Sequence, residues 1–147
     1  MLPTLNGRLQ TRLLVLGAVG FLVALLITPL LPTGSLSLGR AYRVTLSVLL
    51  ATILVGLLWE LLYHFLQQFR WEKDWPTMFG LLTVVNEGLL IWVLLRGTTV
   101  IVPPQLRPSA TAFVIQFAIT WLLFWILVNG PIRLVFHRWR YNGGRFL

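Results

Sequence analysis

Four long apolar runs divide the chain, at about 13–31, 44–66, 77–95 and 110–128. None of them alternates with the period of two that a half-buried strand requires. At 1.5 Å per residue each run can cross a hydrocarbon layer about 30 Å thick. Lipid offers the backbone no hydrogen-bond partners, so a spanning segment must be a helix or part of a closed barrel. Uninterrupted runs, rather than alternating strands of about ten residues, exclude the barrel. The pattern therefore predicts an all-α integral membrane protein with four transmembrane helices. Pro29 and Pro32 mark the exit from the first run. Pro76 and Pro108 stand just ahead of the third and fourth, where a missing N–H costs least. The connections are short, so helices adjacent in sequence are expected to be antiparallel neighbours. Without a repeat or a low-complexity tract, residues 1–147 read as a single four-helix transmembrane domain.

The first run follows Arg8 and Arg12, a basic start that superficially suits a signal peptide. Its apolar stretch is too long for a signal core and ends without a small-x-small cleavage site, so it reads as a retained helix. At the other end, Asn129-Gly130-Pro131 interrupts the fourth helix. Beyond it Ile132, Val135, Phe136 and Trp139 recur at helical spacing, while Arg133, His137, Arg138 and Arg140 fill the other positions. That predicts a short amphipathic helix at about 131–141, lying in the headgroup zone with its basic face toward anionic lipid. The last residues, Asn142-Gly143-Gly144-Arg145-Phe146-Leu147, are too rich in glycine to continue it.

Composition agrees with the pattern. The chain is 57% hydrophobic and 11% charged, with a mean hydropathy of +0.82; a soluble domain of this length could not hide so much apolar surface. The formal charge of +8 sits in short segments beside the apolar runs, which favours anionic lipid headgroups over nucleic acid as the partner. Eight basic residues (Arg8, Arg12, Arg70, Lys73, Arg133, Arg138, Arg140 and Arg145) fall on one side of the predicted membrane. Four (Arg40, Arg43, Arg96 and Arg107) fall on the other. The positive-inside rule then places both termini in the cytoplasm. The preponderance of Arg over Lys is associated with GC-rich genomes and points to a bacterial inner membrane. Cysteine is absent, which removes disulfides, thiolate metal sites and thiol nucleophiles.

Two carboxylates, Glu60 and Glu87, lie inside predicted spans, where a charge costs at least roughly 2.5–3.5 kcal/mol on insertion scales. Thr52, Gly56, Glu60, Tyr63, His64 and Gln67 form a polar stripe on the second helix. Thr83, Asn86 and Glu87 answer it on the third, and Gln116 and Thr120 on the fourth. The first helix has almost nothing polar between Leu13 and Ile27. The expected packing has helices two, three and four sharing a polar interior, with helix one at the edge. No Lys or Arg is expected near the midplane. The candidate arrangements are a protonated pair, a proton or cation site, His64 as partner to Glu60, or a basic residue from another protein. Interhelical hydrogen bonding, worth about 0.6–2 kcal/mol per bond, is the plainest role for Glu60, His64, Asn86, Glu87 and Gln116. Glu60 and His64 have a spacing that can ligate a metal, but no third ligand accompanies them, and no metal or other cofactor is assigned. Gly20/Ala24, Ser47/Ala51 and Thr52/Gly56 are small-xxx-small pairs that permit close helix approach.

The loop Arg70-Trp71-Glu72-Lys73-Asp74-Trp75-Pro76 mixes charge with aromatic rings. Trp71 and Trp75 suit an interfacial anchor or a docking loop for a protein partner. There is no phosphate-cradling glycine loop, zinc-protease helix or serine nucleophile elbow, so no enzyme is expected. The favoured expectation is a non-catalytic accessory or assembly subunit of a larger membrane-protein complex. The alternative is a small oligomeric transporter coupling proton or cation movement to Glu60 and Glu87.

Overall fold

The computed structural model describes residues 4–69 and 77–147, and every described element is helical. The first rod opens at Thr4, whose hydroxyl accepts a hydrogen bond from the Gly7 N–H at 3.2 Å. It runs through α1 (Leu5–Thr11), a π-helical turn (Arg12–Leu16), α2 (Gly17–Ile27) and a closing 3₁₀ turn (Thr28–Leu30). Then follow α3 (Leu38–Gln67), α4 (Thr77–Gly97) and α5 (Ala110–Asn129). Ser109 caps α5 by accepting from the Ala112 N–H at 3.2 Å. Two short helices, α6 (Pro131–Val135) and α7 (His137–Tyr141), complete the chain. Three rods are long and apolar enough to cross a membrane: Leu5–Leu30, Leu38–Gln67 and Ala110–Val135.

The helices pack through rows spaced three and four residues apart, the geometry that places side chains on one face. Val44, Val48, Ala51 and Val55 of α3 meet Ile91 and Leu95 of α4 and Phe113, Phe117 and Trp121 of α5. On the first rod the buried row is Arg12, Leu16, Gly20, Ala24 and Thr28, at steps of four. Gly20 fits directly against Leu49 of α3 and Thr120 of α5, so the small residues serve packing within the chain. The remaining faces are lined by exposed leucine, valine and isoleucine, the surface that a lipid solvent requires.

This arrangement corrects three expectations. The first helix begins at Leu5 rather than Leu13, because Thr4 caps it and the backbone stays helical through Arg8 and Arg12. That rod is not at the edge of the bundle: its α2 segment packs against both α3 and α5. The single amphipathic helix at 131–141 is two short helices broken at Phe136, whose φ of −97° and ψ of 77° leave the helical region.

The break changes what the C-terminal segment does. Ile132 and Trp139 are buried, but Val135 and Phe136 are exposed, so the expected apolar face is split. Trp139 instead donates from Nε1 to the Thr11 hydroxyl at 2.8 Å, and that hydroxyl donates to the Gly144 carbonyl at 3.1 Å. The Thr4 N–H donates to the Gly143 carbonyl at 2.8 Å. Gly143 and Gly144 hold φ of 62° and 83°, a region costing a residue with a Cβ about 1–2 kcal/mol. Their turn brings the C-terminal segment back onto α1, so the two ends of the described chain meet. Trp71, Trp75 and the side chain of Arg140 lie outside the described residues.

Gly143→Val is expected to cost about 1–2 kcal/mol and to release the C-terminal segment from α1. Amide exchange at Thr4, whose N–H donates to the Gly143 carbonyl, checks this: it should lose protection, and unchanged protection would contradict the docking.

Candidate functional site

The site grows from the close approach of α1, the π turn and α3. Gly56 on α3 has no side chain, and the guanidinium of Arg12 occupies the space beside it; a Cβ there would overlap Arg12 Nε and Cζ. The π turn begins at Arg12 and ends at Leu16, and both are buried. Single π turns within α-helices often mark functional positions. Arg12 is only 3% exposed although it lies in the second turn of its rod.

From that position Arg12 reaches two other helices. Its Nη1 donates to Glu60 Oε1 on α3 at 3.1 Å. Its Nη2 donates to Glu87 Oε2 on α4. Glu87 is fully buried, and the same Oε2 also accepts from Trp121 Nε1 on α5 at 3.3 Å. Arg8, one turn before Arg12, adds a second cation: its Nε lies 3.4 Å from Glu60 Oε2, and its Nη2 donates to Gln67 Oε1 at 3.3 Å. The Arg12 guanidinium also stands 6.0 Å from the Phe124 ring centroid, within cation–π range.

Four helical segments thus converge on one network in which two guanidiniums face two carboxylates. The formal charges cancel, which is the condition under which charges can stay out of water without a large penalty. Coulomb attraction in such surroundings is strong, but desolvation takes back much of it. The network therefore fixes how the helices are arranged more than it adds net stability.

This corrects the expectation that no Lys or Arg of the chain lies near enough to neutralise Glu60 or Glu87. Arg8 and Arg12, counted as headgroup cations, lie inside the helical rod, and Arg12 is sequestered. The charge bias between the two sides narrows accordingly. Among the described residues the ion-pair partners of Glu60 are Arg8 and Arg12, not His64.

The other candidates separate into distinct places. Asn86 is exposed on α4 and its side chain bonds with Tyr63 of α3, which stacks on Trp59 at 5.7 Å. His64 is half-buried one turn beyond Glu60. Gln116 does not join the carboxylates; its Nε2 donates to the Thr45 carbonyl at 2.6 Å. Thr45 in turn bonds Thr28 at 2.8 Å, forming a second polar layer toward the other end of the bundle. At the C-terminal segment, Arg133 and Arg138 are exposed, as is His137, and Arg133 donates to Asn129 Oδ1 at 3.0 Å.

Sequence reasoning missed Arg8, Arg12 and Trp121. The signal for Arg12 was present: stepping back by fours from Gly20 and Ala24 gives Leu16 and then Arg12. The signal for Trp121 was its indole N–H in mid-span, which needs an acceptor.

Replacing Arg12 by Gln strands a buried carboxylate, a loss of about 3–5 kcal/mol. The double variant Arg12→Gln/Glu87→Gln should recover much of that loss in detergent unfolding. Additive losses would contradict direct pairing. Gly56→Ala should displace the guanidinium and cost about 1–3 kcal/mol, read in the same unfolding assay.

No family model, curated protein or solved structure matches this chain, so its own geometry carries the functional reading.

Proposed function

We propose that this chain is a non-catalytic accessory or assembly subunit of a larger membrane-protein complex. The observation that carries the reading is a polar strip on the outside of a bundle whose interior charges are already paired. Asn86 is exposed on α4 and bonded to the half-buried Tyr63 of α3, the next residue His64 is also half-buried, and the side chain of Glu60 keeps 19% exposure. Polar groups facing hydrocarbon are costly. A transmembrane helix from a partner, carrying its own amide, hydroxyl or imidazole, would cover them by interhelical hydrogen bonding. The exposed arginines of the C-terminal segment would meet anionic headgroups on the same side as the N-terminus.

The proposed topology has four crossings, with α4 as the third. Two observations support it. The 21 residues of α4 extend about 31 Å at 1.5 Å per residue. The contact between Thr4 and Gly143 supports a topology with both ends of the described chain on one side, which an even number of crossings requires. We assign that side to the cytoplasm of a bacterial inner membrane on the basic residues it carries. Proton or cation coupling through Glu60 and Glu87 is the competing reading. Against it stands Arg12, which occupies both carboxylates.

Mild-detergent extraction followed by native sizing and mass spectrometry tests the assignment. A stoichiometric partner is expected, and Asn86→Leu with Tyr63→Phe should weaken its retention about tenfold, the effect of one or two interhelical hydrogen bonds. Recovery of a homo-oligomer alone would contradict it. For topology, the chain lacks cysteine, so single cysteines report cleanly. Those at Ser35 and Thr99 should label from the side opposite to those at Thr4 and Asn142; labelling of Thr99 together with Thr4 would contradict four crossings.

A further inference from the structure

At the end of the bundle away from the termini, residues of the loops 31–37 and 97–109 line a half-open cavity of about 380 Å³. That volume lies toward the lower end of the range for small-ligand pockets. Its wall carries Arg96 and Arg107, with Gln105 and Ser109 beside them and the buried Thr45 and Gln116 at its base. The acidic residues of the chain stand at positions 60, 72, 74 and 87, none of them among the lining residues. Unlike the guanidiniums of Arg8 and Arg12, this pair meets no carboxylate among the described residues.

Both arginines are held in place by groups that leave their charge uncancelled. Arg107 donates from Nη2 to the Thr98 carbonyl at 3.0 Å, while its Nε is shielded from water without an acceptor among the described residues. Arg96 stacks its guanidinium on Trp92 at 4.4 Å and donates to the Pro108 carbonyl at 3.4 Å. Stacking and carbonyl contacts orient a guanidinium while leaving other N–H donors for an oxyanion. Leu31, Leu36 and Val44 give the cavity apolar walls beside these donors.

We propose that this cavity binds a phosphate group, held between Arg96 and Arg107. Planar guanidiniums match phosphate oxygens by paired, charge-assisted hydrogen bonds. A cavity at the mouth of a helix bundle admits that chemistry from two sources, the headgroup of an anionic phospholipid or a soluble phosphate compound.

The test uses the full chain, with binding read as a shift in thermal unfolding and by native mass spectrometry. Inorganic phosphate is titrated against the detergent-solubilised protein at constant ionic strength set with chloride. In parallel the protein is placed in nanodiscs of phosphatidylglycerol or of phosphatidylcholine. Saturable stabilisation by phosphate alone identifies a soluble source. Retention of phosphatidylglycerol over phosphatidylcholine, without a phosphate response, identifies a lipid source. In either case Arg107→Gln and Arg96→Gln should each weaken binding about tenfold, while Arg40→Gln, outside the cavity lining, leaves it unchanged. Tryptophan fluorescence of the variants verifies that each is folded. Absence of both responses, or equal loss in Arg40→Gln, overturns the proposal.

Discussion

The arrangement of this bundle depends on where one guanidinium can go. Arg12 bridges Glu60 of α3 and Glu87 of α4, and Trp121 of α5 shares the Glu87 oxygen. Moving the first rod, α3 or α4 by a turn would separate these paired charges, and an unpaired charge in low dielectric is far costlier than a lost apolar contact. Leucine against leucine tolerates sliding, especially in lipid, where no hydrophobic force drives helices together. The ionic network supplies the register that such contacts lack.

Several otherwise unrelated features follow from that constraint. Gly56 is small because the guanidinium lies against it, and the π turn occurs where Arg12 and Leu16 both face inward. Thr11, next to Arg12, is tied to Trp139 and to the Gly144 carbonyl, so the C-terminal segment braces the rod that carries the cation. Toward the opposite end lies a neutral layer, in which Thr28, Thr45 and Gln116 bond one another or the backbone. The two layers do different work, one fixing charge and register, the other lining a cavity whose own arginines meet no carboxylate among the described residues.

Much of the architecture was legible because apolar run length is a direct consequence of bilayer thickness. The expected helices at 77–95 and 110–128 agree closely with α4 and α5. The ends were harder to read. A basic residue before an apolar run is ordinarily a headgroup anchor, and hydropathy alone cannot separate that role from an arginine that continues the helix inward. Counting Arg12 as a flank hid the partner of both glutamates and made the first helix look featureless. The amphipathic period at 131–141 was real in sequence, but the hydrogen bond from Trp139 to Thr11 and the turn at Gly143 are long-range contacts that no local pattern encodes. Glu60 and Glu87 were identified from their cost in lipid alone; Gln116, found by the same logic, proved to satisfy a backbone carbonyl instead.

The register of this bundle requires Arg12 and Glu87 to face each other as charged groups. Infrared spectroscopy of the protein in lipid, with glutamate carbon-13 labelled and the Glu87→Gln spectrum subtracted, tests it most directly. A charged Arg12–Glu87 pair predicts that the Glu87→Gln variant loses a carboxylate stretch with the narrow line of a single, water-excluded environment. Loss of a protonated carboxylic-acid carbonyl band instead would contradict it and leave Arg12 paired with Glu60 alone.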